Sequence, residues 1–390
     1  MATALVNARV LTPQGLVDGC AVVLQGERIS GVVPAADLPA STPRRDLRGA
    51  LLAPGFVDVQ VNGGGGVLFN DAPSVETIRA IGAAHRRFGT TGFLPTLISD
   101  DLDKVAQALD AVDAAIEAGV PGVLGVHLEG PFLSARRRGT HDDSKFRVLD
   151  ETACALLTAP RRGKVMITLA PEAAPAALIR RLADAGVVVA LGHTDARYVQ
   201  ARAALDAGAR GFTHLFNAMS QLGSREPGVV GAALDDEDSF CGIIVDGRHV
   251  AAVTLRVALK AKRRDRFMLV TDAMPSVGGP KTFQLQGRTI RVRDGVCVDQ
   301  AGVLSGSDLD MASAVRNATA MLGLPLEDAL RMAARAPAAF LGLERDLGEI
   351  ASGRRADLVL LSPEFEVIDT WIGGRAASDT APAEAARVRS

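Results

Sequence analysis

The sequence is poor in aromatic residues and carries almost no excess charge. Aromatic residues make up 4% of the 390 residues and the hydrophobic set makes up 48%, so a core has to be built mainly from Ala, Val, Leu and Ile. The formal net charge is -2, and neither end carries a basic tail. Such a chain has no field that gathers nucleic acid, so we expect a small-molecule partner.

Cysteine and long apolar runs are also scarce. The four cysteines, Cys20, Cys154, Cys241 and Cys297, are scattered without a CxxC pair. This pattern argues against a disulfide framework and a cysteine zinc site, so we expect reduced thiols. No apolar run reaches the roughly 18 residues that cross a bilayer, and the N-terminus lacks a basic region followed by an apolar stretch. We therefore expect a cytoplasmic protein without a membrane partner.

The middle of the chain alternates short apolar runs with Ala-rich stretches of helical period. This pattern predicts βα units around a parallel sheet, in an α/β fold. Strands are predicted at 56–60, 92–97, 123–129, 165–171, 187–193, 211–216, 240–246 and 267–272. Because eight such strands close a barrel, we predict a (β/α)8 TIM-like barrel. The clearest helices are predicted at 74–88, 101–118, 195–207 and 308–322, whereas the unit between the sixth and seventh strands is weakly helical.

Both ends of the chain have the pattern of short strands joined by tight turns. Residues 4–52 show it first, and it returns at 348–350, 356–361 and 365–368. We predict a small β-sandwich domain formed from residues 1–52 and 349–380, around a catalytic barrel at 53–348. A β-hairpin insertion is predicted near 281–304, where Asp294-Gly295 favours a turn, and a flexible tail at 381–390.

Rare polar residues stand at the ends of four predicted strands. Glu129, His193, His214 and Asp272 each end or nearly end an apolar run, and barrel enzymes place their active sites at such strand ends. A single buried histidine is more often a satisfied core residue, but four convergent strand ends favour a site. One glutamate and two histidines suit Zn2+ or a similar ion with a fourth position open for water. Asp272 is then placed to take a proton from that water, its alternative being a helix cap.

Several ordered segments resemble one family. They are PGFVD at 54–58, HLEGPF at 127–132, GHT at 192–194, HLFNAM at 214–219, REPG at 225–228, DGRH at 246–249 and LSGS at 304–307. Together they resemble the N-acetylglucosamine-6-phosphate deacetylases of the amidohydrolase superfamily. The resemblance implies metal-dependent hydrolysis of the N-acetyl group of N-acetylglucosamine 6-phosphate, giving glucosamine 6-phosphate and acetate. It places the chain in amino-sugar catabolism and cell-wall sugar recycling.

The resemblance also implies a metal centre and a substrate pocket. The expected cofactor is one divalent metal ion per subunit, zinc first, with Fe2+, Co2+ and Mn2+ as alternatives. Many amidohydrolases carry His-x-His after the first barrel strand, but here Gln60-Val61-Asn62 stands there. Since amides are poor zinc ligands, we predict one metal held by Glu129, His193 and His214 rather than a bridged pair. The implied substrate-binding residues are Thr140, His141, Asn217, Ala218, Arg225, Asp246, His249, Leu304, Ser305 and Gly306.

Two of these residues are assigned to the phosphate and one to the acetyl group. Arg225 offers the planar fork that binds phosphate through two hydrogen bonds, and the family pattern adds His249. His141 would contact the substrate and polarise the acetyl carbonyl. In such deacetylases a neighbouring subunit contributes part of the pocket, so the resemblance implies a homodimer with active sites near the interface.

Other interpretations remain open. The basic run 136–138 could attract phosphate, but short charge runs usually mark a solvated loop, which we favour. The glycine run 63–66 lacks the Gly-Lys-Ser/Thr ending of a P-loop, so we interpret it as flexible backbone near the metal. The chain could also be an amidohydrolase for another N-acyl or N-acetyl amino-sugar substrate. A non-catalytic barrel is disfavoured, because all three expected ligands and the expected base are present.

Overall fold

Eight parallel strands form the central sheet of this structure, a computed structural model that describes residues 2–379. The strands are Phe56–Val61, Thr90–Ile98, Gly125–Glu129, Lys164–Leu169, Val188–Leu191, Gly211–Phe212, Phe240–Ile243 and Phe267–Leu269. Each pairs with the next in chain order, and a parallel bridge between Val61 and Ala273 joins the first strand to the chain just after the eighth. The predicted (β/α)8 barrel is confirmed. The flexible tail expected at 381–390 lies outside the described residues.

A helix follows each barrel strand. The helices are Val75–Arg86, Leu102–Glu117, Glu151–Thr158, Ala176–Asp184, Tyr198–Asp206, Gly228–Asp235, Ala252–Ala261, Met311–Leu322, Leu326–Ala333 and Arg335–Phe340. Three begin behind an N-cap whose side chain accepts a backbone N–H, namely Ser74, Asp150 and Asp310. The helix expected from 195 begins only at Tyr198. The Asp195 side chain pairs with Arg136 and Arg137 instead of capping this helix. Of the helices in residues 2–379, none has the length and apolar character needed to span a bilayer.

The barrel interior contains polar side chains that form hydrogen bonds with one another. His127 is fully buried, with Nδ1 3.1 Å from Thr96 Oγ1 and Nε2 2.7 Å from Thr168 Oγ1. Burial lowers the pKa of His127 to about 4, so the ring is neutral. Asp58 accepts hydrogen bonds from the backbone N–H groups of Gln60 and Thr271 and from the Thr271 hydroxyl. It thereby links the first strand to the chain just after the eighth, where a single backbone bridge joins the two.

The two ends of the chain form two antiparallel-rich sheets that enclose a second core. One sheet contains Ala2–Val6, Cys20–Gln25, Arg28–Pro34 and Arg44–Asp46. The other contains Arg9–Thr12, Gly15–Val17, Leu51–Pro54, Leu358–Leu361, Val367–Ile372 and Arg375–Ala376. Leu51–Pro54 pairs with Leu358–Leu361, so the N- and C-terminal segments share one sheet. The expected sandwich from both chain ends is confirmed, while the domain boundaries at 52/53 and 348/349 stay predictions.

The insertion after the eighth strand is larger than predicted. Instead of one hairpin at 281–304, the strands Thr282–Leu285, Arg288–Arg293, Val296–Val298 and Leu304–Ser307 form a four-stranded antiparallel sheet. Asp294 and Gly295 have φ angles of 50° and 79°, as their expected turn requires. Leu285, Ile290 and Cys297 form the apolar core of this sheet. The longer sheet brings 303–306 to the carboxyl ends of the barrel strands.

Candidate active site

The four predicted strand-end residues converge at the carboxyl end of the barrel. Glu129 ends the third strand, whereas His193, His214 and Asp272 lie just beyond the fifth, sixth and eighth strands. These last three have φ angles of 47°, 33° and 52°, in the left-handed region that non-glycine residues rarely adopt. Such backbone strain persists where the surroundings fix it, and it concentrates at functional sites.

Glu129, His193 and His214 form a compact group of ligand atoms. Glu129 Oε1 lies 3.0 Å from His214 Nε2 and 3.3 Å from His193 Nε2, and the two nitrogens are 3.1 Å apart. Among residues 2–379 this is the one group of three or more His, Cys, Asp or Glu whose ligand atoms lie within 4.8 Å of one another. The donor set suits a divalent cation, because nitrogen and carboxylate atoms face a single point.

A hydrogen bond of His193 fixes which of its nitrogens faces that point. His193 Nδ1 donates to the carbonyl oxygen of Arg137 at 2.9 Å, so Nε2 is the nitrogen left to face that point. Burial opposes ionisation of Glu129, but the hydrogen bonds and charges of both histidines hold its pKa well below the ordinary value. Glu129 is therefore an ionised ligand at neutral pH.

Two amide side chains hold the carboxylate of Asp272. Asn62 Nδ2 donates to Asp272 Oδ1 at 2.6 Å, and Gln60 Nε2 donates to the same atom at 3.2 Å and to Glu129 Oε1 at 3.0 Å. Burial and the charge of Glu129 raise the pKa of Asp272 to about 6. A carboxyl group with a pKa in this range can both accept and return a proton near neutral pH.

His141 lies beside this group as a neutral donor. Its Nδ1 accepts the backbone N–H of Ser99 at 3.3 Å, so the ring hydrogen is on Nε2, which lies 3.8 Å from Glu129 Oε2. Burial and the charge of His193 lower the pKa of His141 to about 3. The ring therefore stays uncharged and can donate a hydrogen bond into the site.

These residues open into a cavity of about 430 Å³. Predicted site residues that line it are Glu129, Thr140, His141, His193, His214, Asn217, Ala218, His249, Asp272, Leu304 and Gly306. Asp246 and Ser305 lie behind the wall: Asp246 Oδ2 is 2.6 Å from His249 Nδ1, and Ser305 Oγ is 3.1 Å from Thr140 Oγ1. Arg225 is on an exposed loop and is not among the lining residues of the described chain.

The cavity also has lining residues that the sequence analysis did not assign. Arg136 and Arg137, which we interpreted as part of a solvated loop, line it and pair with Asp195. Asn62 lines it too, and its Oδ1 is buried without a hydrogen-bond partner in the described chain. The replacement of His-x-His by Gln60-Val61-Asn62 was the sequence feature that could have assigned Asn62 to the site. The remaining unassigned lining residues are Gly139 and five apolar residues, Leu68, Ile98, Ile244, Met274 and Val303.

Comparison with known proteins places this arrangement in a family. The model of the amidohydrolase family matches residues 51–377, and that of the NagA composite domain matches residues 3–52. The chain belongs to the amidohydrolase family. Membership implies hydrolysis assisted by a divalent metal, and the Glu129, His193 and His214 group is a site that could hold it.

Relatives within this amidohydrolase family share nearly the whole chain. An N-acetylgalactosamine-6-phosphate deacetylase of Shewanella sp. (strain ANA-3) is 45% identical over 372 residues, covering 94% of each chain. The structure of N-acetylglucosamine-6-phosphate deacetylase from Pasteurella multocida superposes with a TM-score of 0.93 at 36% identity, covering 96% of this chain and 99% of that one.

A third relative was solved with a sugar phosphate. A mutant of the Mycobacterium smegmatis N-acetyl-D-glucosamine-6-phosphate deacetylase, in complex with N-acetyl-D-glucosamine-6-phosphate, superposes with a TM-score of 0.87 at 34% identity. The match covers 96% of this chain and 98% of that one. The family resemblance predicted from the segments is confirmed, and the relatives act on small sugar phosphates.

Proposed function

We propose that this amidohydrolase removes the N-acetyl group of N-acetylglucosamine 6-phosphate, releasing acetate and glucosamine 6-phosphate. The reaction hydrolyses a linear amide C–N bond and belongs to amino-sugar catabolism and cell-wall sugar recycling. The observation that carries the proposal is the position of Asp272. Asp272 lies in the same cavity as the Glu129, His193 and His214 group, which suits a cation. Two amides donate to its Oδ1 atom and make no hydrogen bond to its Oδ2 atom.

In this proposal each side chain has a distinct task. Glu129, His193 and His214 hold one divalent ion, which when bound polarises the amide carbonyl and acidifies a water molecule. Asp272 accepts the proton of the attacking water and later delivers it to the leaving amine. His141 donates its Nε2 hydrogen toward the oxygen that becomes negative as the carbonyl carbon turns tetrahedral. The apolar wall formed by Ile98 and Met274 restricts bulk water.

The amides argue for one ion rather than two. Gln60 and Asn62 occupy the place of the His-x-His pair, and both turn their NH2 groups toward carboxylates. An NH2 group donates hydrogen bonds and does not ligate a cation. We propose zinc as the ion, with Fe2+, Co2+ and Mn2+ as alternatives that the same donor set accepts. Metal analysis of active protein should give about one ion per chain, and a content near two would contradict the proposal.

A homodimer is the proposed state, with Arg225 acting across the interface. Arg225 is exposed on its own chain, and four large apolar side chains are exposed on neighbouring elements: Val199, Leu222, Val253 and Val257. They lie on two helices and on the loop that carries Arg225, and we propose that the interface covers them. Arg225 would then join His249 of the other subunit at the substrate phosphate.

Complementation tests this arrangement. Arg225→Ala and Asp272→Asn should each be nearly inactive on the phosphorylated sugar as separate proteins. Mixed under conditions that exchange subunits, they should regain up to roughly a quarter of wild-type activity, because one site in the heterodimer receives both intact residues. No recovery from a mixture in which differently tagged subunits copurify as heterodimers would place Arg225 outside the site.

The sugar epimer has a second candidate. The Shewanella relative, 45% identical to this chain, is an N-acetylgalactosamine-6-phosphate deacetylase. The two sugars differ only in the orientation of one hydroxyl group, which a few polar groups can discriminate. N-acetylgalactosamine 6-phosphate is therefore the alternative substrate within the same mechanism.

Acetate release decides among these substrates. It should be followed with both 6-phosphates and with unphosphorylated N-acetylglucosamine, on protein of known metal content. A higher kcat/KM for N-acetylglucosamine 6-phosphate supports the proposal, whereas a preference for the galactose epimer selects the alternative. Equal activity on the unphosphorylated sugar would contradict a phosphate-binding site. Inactivity on all three sugars would favour another N-acyl substrate.

A further inference from the structure

The left-handed turn at His193 is held by one short segment of a different loop. The backbone N–H of Ser134 donates to the carbonyl oxygen of His193 at 2.9 Å, and His193 Nδ1 donates to the carbonyl oxygen of Arg137 at 2.9 Å. Both contacts come from residues 134–137. The direction of the imidazole ring therefore depends on where this segment lies.

This segment has little structure of its own. It contains a single 3-10 turn, Ala135–Arg137, whose N-cap residue Ser134 makes no side-chain capping bond. The Arg136 side chain is 84% exposed. Since one short turn fixes several dihedral angles for few hydrogen bonds, it is not stable alone.

The carboxylate of Asp195 supplies the missing restraint. Asp195 Oδ1 accepts from Arg137 Nε at 2.9 Å, and Oδ2 lies 3.4 Å from Arg136 Nη1. Asp195 is itself fixed, because its backbone N–H donates to Glu172 Oε1 at 2.7 Å. The contacts close a ring from the His193 imidazole through Arg137 to Asp195, two residues further along the chain.

We propose that Asp195 is a positioning residue, which through Arg137 holds the His193 ring with Nε2 directed at the metal-binding point. The inference rests on the proposed metal site and deepens it. Asp195 touches neither the ligand atoms of the group nor the cavity-lining face of Asp272. Its effect reaches the metal through the Arg137 carbonyl oxygen, which is kept at its position by the pairing of the Arg137 side chain with Asp195.

Zinc affinity measured by chelator competition, without substrate, tests this role. Asp195→Ala and Arg137→Ala should each weaken zinc binding by about 10-fold, the scale seen when the partners of metal-ligating histidines are removed. The double variant should lose no more than either single variant, because both break the same contact. Excess zinc should restore most of the kcat of Asp195→Ala, which damage confined to folding would not allow.

A matched control lies on the same loop. Arg138 pairs with Asp143 at 3.2 Å and is not a cavity-lining residue, so Asp143→Ala removes an ion pair without touching the ring. Its zinc affinity should match wild type. Zinc binding of Asp195→Ala within twofold of wild type, or an equal loss in Asp143→Ala, overturns the positioning role. If the wild-type protein itself binds no zinc or similar ion, the proposed metal site fails, and this inference fails with it.

Discussion

Replacing the buried carboxyl group of Asp58 should change how stability depends on pH. Asp58 is fully buried, and burial raises its pKa from 3.8 to about 7 despite hydrogen bonds from Thr271 and Gln60. The folded chain therefore keeps this proton up to about pH 7, while the unfolded chain releases it near pH 4. Stability from this group is fully present below the lower pKa and is lost as pH rises to the higher one.

The size of this loss of stability follows from the difference between the folded and unfolded pKa values. A shift of about three units, at 1.36 kcal/mol per unit, corresponds to about 4 kcal/mol in total and about 2.5 kcal/mol between pH 5 and pH 7. Asp58→Asn is uncharged at every pH, and its amide can donate to the Thr271 hydroxyl. The unfolding free energy of wild type relative to Asp58→Asn should therefore fall by that amount across this range.

Urea titrations at half-unit pH steps, followed by circular dichroism, measure this difference. Asp238→Asn is the control, because the Asp238 side chain is 93% exposed and should give a curve parallel to wild type. If the Asp58→Asn and wild-type curves also run parallel from pH 5 to pH 7, the proton is not retained in the folded chain. The account of Asp58 as a neutral link between the first and eighth strands would then be refuted.

Three further perturbations have expected outcomes. Asp272→Asn should keep its metal content but lose kcat by about 10²- to 10⁴-fold, since it cannot take up a proton; near-normal turnover would reject the role. His141→Ala should lower kcat by about 10²-fold with KM nearly unchanged, measured by acetate release, whereas an effect on KM alone would indicate binding without catalysis. Trp371→Ala should destabilise the folded chain by about 3–5 kcal/mol, because the ring is 2% exposed in the sandwich core. Circular dichroism should follow the last variant, since Trp371 is the single tryptophan; a loss below 1 kcal/mol would contradict the packing.

The barrel was predictable because its strands are buried on both faces and are therefore mostly apolar. Polar residues at their ends then stood out, and Glu129, His193, His214 and Asp272 do lie together. The carboxyl ends of the fifth and sixth strands were predicted too far along the chain, for a physical reason. His193 and His214 leave the strand through left-handed turns, which no hydrophobic pattern records.

Loops and insertions were harder to predict. Charge alone does not show whether an arginine faces solvent or a cavity. Arg136 and Arg137 were interpreted as solvated although they line the cavity, and Arg225 was assigned to the phosphate although it is exposed on its own chain. The glycines interpreted as flexible backbone are instead ordered, since Gly63–Gly64 pairs with Val67–Leu68 and a Cβ on Gly64 would lie 2.8 Å from His85. The turn at Asp294-Gly295 was found, but the outer strands of that sheet, Thr282–Leu285 and Leu304–Ser307, are only four residues long and were missed.

The shared sheet at the two chain ends has a consequence for protein synthesis. Leu51–Pro54 leaves the ribosome early, yet its partner Leu358–Leu361 is made only after every barrel strand. During that interval the early strand presents unpaired backbone groups on an apolar edge, a surface on which other chains can aggregate. The nascent protein therefore needs this edge to be shielded until translation is nearly complete, and any premature stop before residue 358 leaves it permanently uncovered.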